Sequence, residues 1–209
     1  MSAITIYGNP ASTYVRTVRM TAAEKGVDYD LVSLTPADEE LQALHPFRKI
    51  PAMRHGDLVL YETSAITRYI DEAFDGTALQ PGGLVARARM NQWISAINDY
   101  VYDAMIRRYV LHYIFPKGAD GQPDRTVIDA ALPQIRQQVE LIDRTLGEHD
   151  FLAADELSLA DLFLAPILTY VSRMPEGGEL LAAAANIQRA GAAMHDRSSF
   201  QDTLPPLAA

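Results

Sequence analysis

Residues 3–33 read AITIYGNPASTYVRTVRMTAAEKGVDYDLVS, and this stretch decides the fold. Residues 3–7 are rich in β-branched and aromatic side chains and read as a short strand. Gly8-Asn9-Pro10 stops it. Ser12 or Thr13 then caps a helix running to Lys25, with Val15, Val18 and Ala22 on its apolar face. Gly26 stands where a left-handed helix end is wanted. Residues 28–33 form a second strand, so the opening is a β-α-β unit with parallel strands.

Working outward, a short polar helix covers residues 37–44. Strand fragments 52–55 and 58–61 flank Gly56-Asp57, a two-residue turn that implies an antiparallel hairpin. Residues 63–74 are helical, with Ala65, Ile66, Tyr69, Ile70 and Ala73 on one face. The order is β-α-β-α-β-β-α over residues 1–77. Pro81, Gly82 and Gly83 mark a linker, and beyond it no segment keeps a period of two. Residues 84–115 read as one long helix with Trp93, Ile97, Val101, Ala104 and Leu111 inward, and 117–123 as a polar loop. Helices follow over 126–146, 158–171 and 182–194. Pro133 is expected to kink the first of these or to start a new turn. The alanines at 182–185 are good helix formers. Residues 84–209 are thus an all-helical second domain.

The 209 residues carry 18 Lys plus Arg against 27 Asp plus Glu, a net charge of −9. No basic face emerges, so nucleic acid and anionic membrane are poor partners. There is no Cys, which excludes disulfides, thiolate metal sites and a cysteine nucleophile. His45, His55, His112, His149 and His195 show no ligand spacing, so no metal is expected. The amino terminus lacks a basic segment followed by a long apolar run, and residues 162–172 are too short to span a bilayer. The expectation is a cytoplasmic protein.

Three places carry chemistry: the turn at 10–14, Lys49-Ile50-Pro51, and Glu62-Thr63-Ser64. All fall at the sheet end where a β-α-β unit puts its ligand. By itself Ser12 reads as a helix cap. Pro51 is either an ordinary trans proline or a cis one that turns the Ile50 main chain toward a peptide-like ligand. Glu62 and Thr63 either suit a positive helix end or grip a ligand, the helix start and Thr hydroxyl taking a carboxylate and Glu62 an ammonium.

Over essentially its full length the chain resembles a glutathione transferase. The resemblance rests on YGNPAS (7–12) with an arginine beyond it, EKG (24–26), HPFRKIPA (45–52), LYETSAITRYI (60–70), FLAADELSLADLFLAP (151–166) and SFQDTLP (199–205). It implies an α/β thioredoxin-like first domain, an all-α second domain that contributes the electrophile site, and a homodimer. The partners implied are reduced glutathione as co-substrate and a small hydrophobic electrophile, with no metal. The PAS turn looks most like the phi and theta type, in which a serine activates the thiol. That makes Ser12 the catalytic match, with Tyr7 its rival and Thr13 and Tyr14 as substitutes. Lys49, Ile50, Pro51, Glu62 and Thr63 match the glutathione-binding positions. His45 and Arg48 stand where Asn and Gly are more usual. Asp99 matches a cross-dimer contact, and Tyr102, Met105, Ile106 and Tyr109 lie where the electrophile site is expected. Other implied readings are a peroxidase, isomerase or dehalogenase on the same site, or a transferase-like protein that only binds. Ser158 and Asp161 form a capping arrangement whose role is structural.

The role implied for Ser12 is donation. A free thiol titrates near ~8.5, and lowering that by about two units takes roughly 2.7 kcal/mol. A hydrogen bond to a charged group contributes ~1.5–3 kcal/mol, and a helix N-terminus roughly 0.3–1 kcal/mol more. No base or metal is needed.

Overall fold

A computed structural model describes residues 3–205 of the chain. It divides into two compact units, Met1–Pro81 together with Met194–Ala209, and Gly82–Ala193.

In the first unit, alternation along β1 (Ile4–Tyr7) sends Ile4 and Ile6 to one face and Tyr7 to the other, and helices cover both faces. Ile4 and Ile6 pack with Val15, Val18 and Ala22 of α1 (Thr13–Glu24) and with Ile66 and Ile70 of α3 (Thr63–Ala73). Tyr7 packs on the opposite side with Leu34 and with Leu41 and Leu44, from α2 (Glu39–Leu44) and its end. The remaining strands are β2 (Tyr29–Val32), β3 (Ala52–His55) and β4 (Leu58–Tyr61), in spatial order β2-β1-β3-β4. β1 and β2 are parallel while β3 and β4 run antiparallel, as the β-α-β unit and the Gly56-Asp57 turn require. Gly26 takes φ +67° just past α1, where a side chain would be strained. The carboxyl-terminal stretch lies along α1. Arg197 and Ser199 hold the buried Glu24 carboxylate, and the Arg16 guanidinium sits 5.0 Å from the Phe200 ring.

The second unit has helices joined by loops, with no strand among its described residues. The long helix expected over 84–115 is present but not uniform. α4 (Leu84–Ala96) passes into a π-helical stretch (Ile97–Val110) and ends in α5 (Leu111–Ile114). The wider i→i+5 winding moves the buried face off a 3.6 period. Ile97, Val101 and Ala104 are buried as read, whereas Trp93 and Leu111 are only half-buried and Met105, Ile106 and Tyr109 fill the core.

α6 (Arg125–Glu148) runs as one helix through Pro133, so no new helix starts there. The proline's missing N–H would have faced the carbonyl of Asp129, and both residues are exposed, on the side of the helix where that carbonyl is open to solvent. The expected helix over 182–194 is corrected. α8 (Pro175–Ala182) ends inside the alanine run, and α9 (Ala185–His195) starts anew after Ala183-Ala184. The cause is tertiary: Asp143 of α6 accepts from the main-chain N–H groups of Asn186 and Ile187 at 2.9 and 3.0 Å, a cap that local sequence does not reveal. α7 (Leu159–Val171) begins at Ser158, and the short α10 (Ser198–Gln201) closes the described chain. Among the described residues no helix is long and apolar enough to cross a membrane.

Candidate functional site

The strand register gathers the candidate residues. Val32, Tyr7, Ala52 and Tyr61 form one row across the sheet. The next positions beyond that row are Gly8 after β1, Pro51 before β3 and Glu62 after β4. These three are neighbours at one sheet edge, with strands about 4.8 Å apart. Both helix starts open beside them, Ser12-Thr13 four residues past Gly8 and Thr63 directly after Glu62. Gly8 fixes how closely the segments approach. It has φ +148°, and a Cβ there would lie 2.6 Å from Val15 Cγ2 and 3.0 Å from Ile50 Cβ. In the sequence Gly8 reads only as a strand stop.

Ser12 is the N-cap of α1 and is half-buried. Its Oγ accepts from the Val15 N–H at 3.4 Å, a long bond that leaves the hydroxyl proton free to donate elsewhere. No acidic side chain stands in the first turn of α1, so the positive helix end is uncompensated there. Thr13 is buried at 5% exposure. Tyr7 is 8% exposed, and its ring packs on the α2 side of the sheet, the face opposite α1.

Lys49 is exposed, Ile50 half-buried and Pro51 buried, and the Ile50-Pro51 peptide is cis. Ile50 precedes the first ladder pair, so its main chain is not drawn into the sheet. Arg48 takes φ +51°, a conformation that glycine adopts without strain, and its guanidinium bonds Gln42. Glu62 takes φ +70°, a conformation that costs of order 1–3 kcal/mol and clusters at functional sites. Its side chain is exposed and makes no cap bond, while Thr63 is buried at the first helical position.

The strand ends therefore bring together the loop bearing Lys49, the Glu62 carboxylate, two helix N-termini and the Ser12 hydroxyl. That set suits a ligand with charges of both signs and a group that ionises to an anion. Asp99, Tyr102, Met105, Ile106 and Tyr109 belong to the other unit. Asp99 is exposed there, Tyr102 half-buried, and the other three buried. Tyr109 donates to Glu176 at 3.0 Å and accepts from the Gly177 N–H at 2.7 Å, tying the π stretch to the start of α8.

Comparison with known proteins supplies the context. The family description "Glutathione S-transferase, N-terminal domain" matches residues 6–78, and "Glutathione S-transferase, C-terminal domain" matches residues 101–189. The chain is 30% identical to glutathione S-transferase 3 of Zea mays over 99% of this chain and 97% of that one. It is equally 30% identical to a stringent starvation protein A homolog of Pasteurella multocida, over 97% and 91% of the two chains. A solved glutathione S-transferase from Methylobacillus flagellatus with GSH bound superposes with a TM-score of 0.82 at 29% identity, covering 97% of this chain and 99% of that one.

Proposed function

The chain belongs to the glutathione S-transferase family, and from that premise we propose that its first unit binds reduced glutathione and ionises the thiol at Ser12. The observation that carries this reading is the shared edge of Gly8, Pro51 and Glu62 beside an uncompensated helix start capped by a serine. In this reading Lys49 pairs with the glycine carboxylate and the Ile50 main chain pairs with the cysteinyl residue beside Pro51. Glu62 takes the γ-glutamyl ammonium, and the start of α3 with Thr63 takes that residue's carboxylate. The thiol proton leaves to water. The Ser12 hydroxyl donates to the sulfur, whose lone pair then forms a bond to a small apolar electrophile, with addition or loss of a leaving group. Products from a panel of electrophiles and hydroperoxides distinguish conjugation from peroxide reduction, isomerisation and dehalogenation.

Glu62→Gln tests the grip on the ligand. Losing a charge-assisted bond of ~1.5–3 kcal/mol raises the glutathione KM roughly 10- to 100-fold, with kcat at saturation little changed. An unchanged KM contradicts this part of the reading.

The protein is further proposed to be a cytoplasmic homodimer. Phe47 is 67% exposed on the loop before β3, its ring at the edge of Tyr61, and a solvent-facing phenyl group of this kind is typical of an interface anchor. Phe47→Ser weakens self-association by ~2 kcal/mol, about 30-fold, in sedimentation equilibrium. A wild-type chain that sediments as a monomer contradicts the dimer.

One observation favours a second reading, a transferase-like chain that acts by binding alone: its equal identity to a protein whose name denotes a starvation response. Glutathione-dependent turnover by the purified chain excludes it.

A further inference from the structure

His45 lies at the end of α2 with 2% of its surface exposed. Its main-chain N–H donates to the Leu41 carbonyl at 2.8 Å, and its carbonyl accepts from Arg48 N–H at 2.9 Å. Its ring nitrogen Nδ1 accepts from the Phe47 N–H at 3.2 Å, so the neutral ring carries its proton on Nε2. The ring centroid lies 4.8 Å from that of Tyr61, the last residue of β4, and 6.1 Å from that of Phe47. One side chain thus bridges the loop bearing Lys49 and Ile50 to the strand end bearing Glu62.

We propose that His45 is a positioning residue of the glutathione site, whose neutral ring holds loop 45–51 against the Tyr61-Glu62 strand end and whose protonation releases that loop and weakens glutathione binding. This rests on the reading of the site given above. The physical step is simple. A proton on Nδ1 turns the acceptor into a donor, which then opposes the Phe47 N–H, and the pair separates. Burial pushes the imidazole below its ordinary value, Glu62 opposes that shift and Lys49 adds to it. Of the other groups on the packed elements, Arg48 is turned to Gln42, Tyr61 presents its ring, and Glu39 and Glu40 lie at the far end of α2. The neutral form therefore prevails at neutral pH, and the bond is lost as pH falls.

The test is glutathione affinity by calorimetry from about pH 7.5 down to about pH 4, because burial holds the ring below the ordinary imidazole value of ~6.5. Wild-type affinity is expected to hold at neutral pH and then fall, by about tenfold one unit below the ring's own value, because only the neutral fraction binds. His45→Asn keeps an acceptor without a titrating proton, so it binds nearly as well at neutral pH and shows a flat profile. Wild type and His45→Asn falling in parallel would overturn the inference. Ring-nitrogen NMR of the wild type gives an independent check if the variant folds poorly. A neutral Nε2–H ring that protonates in step with the loss of affinity supports the role, and an Nδ1–H ring or one charged at neutral pH overturns it. Wild type that binds no glutathione at any pH instead overturns the site reading on which this depends.

Discussion

Ser12→Ala lowers kcat/KM for conjugation about 25-fold at neutral pH and about 100-fold below the wild-type thiol value, because the thiol of bound glutathione returns by about two units to its free value of ~8.5. The hydroxyl is the only polar side-chain atom at the capping position of α1, and its bond to the Val15 N–H uses a lone pair rather than the proton. Removing it takes away ~1.5–3 kcal/mol of stabilisation from a thiolate while leaving the uncharged ligand's contacts intact. The glutathione dissociation constant for the protonated ligand therefore changes little, and the loss falls on the ionised form. The pH dependence carries the sign. The defect is full below the wild-type thiol value, shrinks as pH rises, and disappears above about 8.5, where the thiol ionises unaided. Tyr7→Phe leaves the profile unmoved, since that ring packs on the α2 face of the sheet.

The second large effect concerns folding. Asp161, in the first turn of α7, is buried and accepts from the Leu152 N–H at 2.8 Å, the Ser158 N–H at 2.9 Å and the Ser158 hydroxyl at 2.8 Å. Asp161→Ala strands three buried donors at once. At ~1–3 kcal/mol for each unsatisfied group, partly relieved by water, the loss is about 4 kcal/mol. That is more than the ~1 kcal/mol typical of a surface cap. For a chain of this size each kcal/mol shifts Tm by roughly 2–4 °C, so thermal unfolding is expected about 10 °C lower. The surviving folded protein keeps its kcat, because the group serves the second unit's framework alone. Burial pushes the Asp161 carboxyl up to about 6 against these three donors. Its folded value thus lies above the unfolded one, and its contribution to stability falls as pH rises through that interval. Acidification from neutrality costs nothing through this group.

The parts of the fold that were legible in the sequence are those written in local signals. The Gly56-Asp57 turn sets the β3-β4 hairpin at the residues expected, and the apolar spacing of Val15, Val18 and Ala22 gives the inner face of α1. What local signals miss is decided by distant partners. The break in the alanine run depends on Asp143, 43 residues away from Asn186. The continuation of α6 past Pro133 depends on which side of the helix meets solvent. The π winding follows from no feature of residues 97–110 that we can name. At the site, Glu62 and Arg48 sit at positive φ although neither is glycine, a strain no propensity scale anticipates. His45 stood out in the sequence only as a departure from the usual residue. Its ring becomes informative once the register brings Tyr61 against it.

The most direct test of thiol activation at Ser12 is ultraviolet thiolate absorbance during a glutathione titration of wild type, Ser12→Ala and Tyr7→Phe at one neutral pH. The account predicts a saturable thiolate signal in wild type and Tyr7→Phe and none in Ser12→Ala, although all three bind. A signal that survives in Ser12→Ala and vanishes in Tyr7→Phe would contradict it.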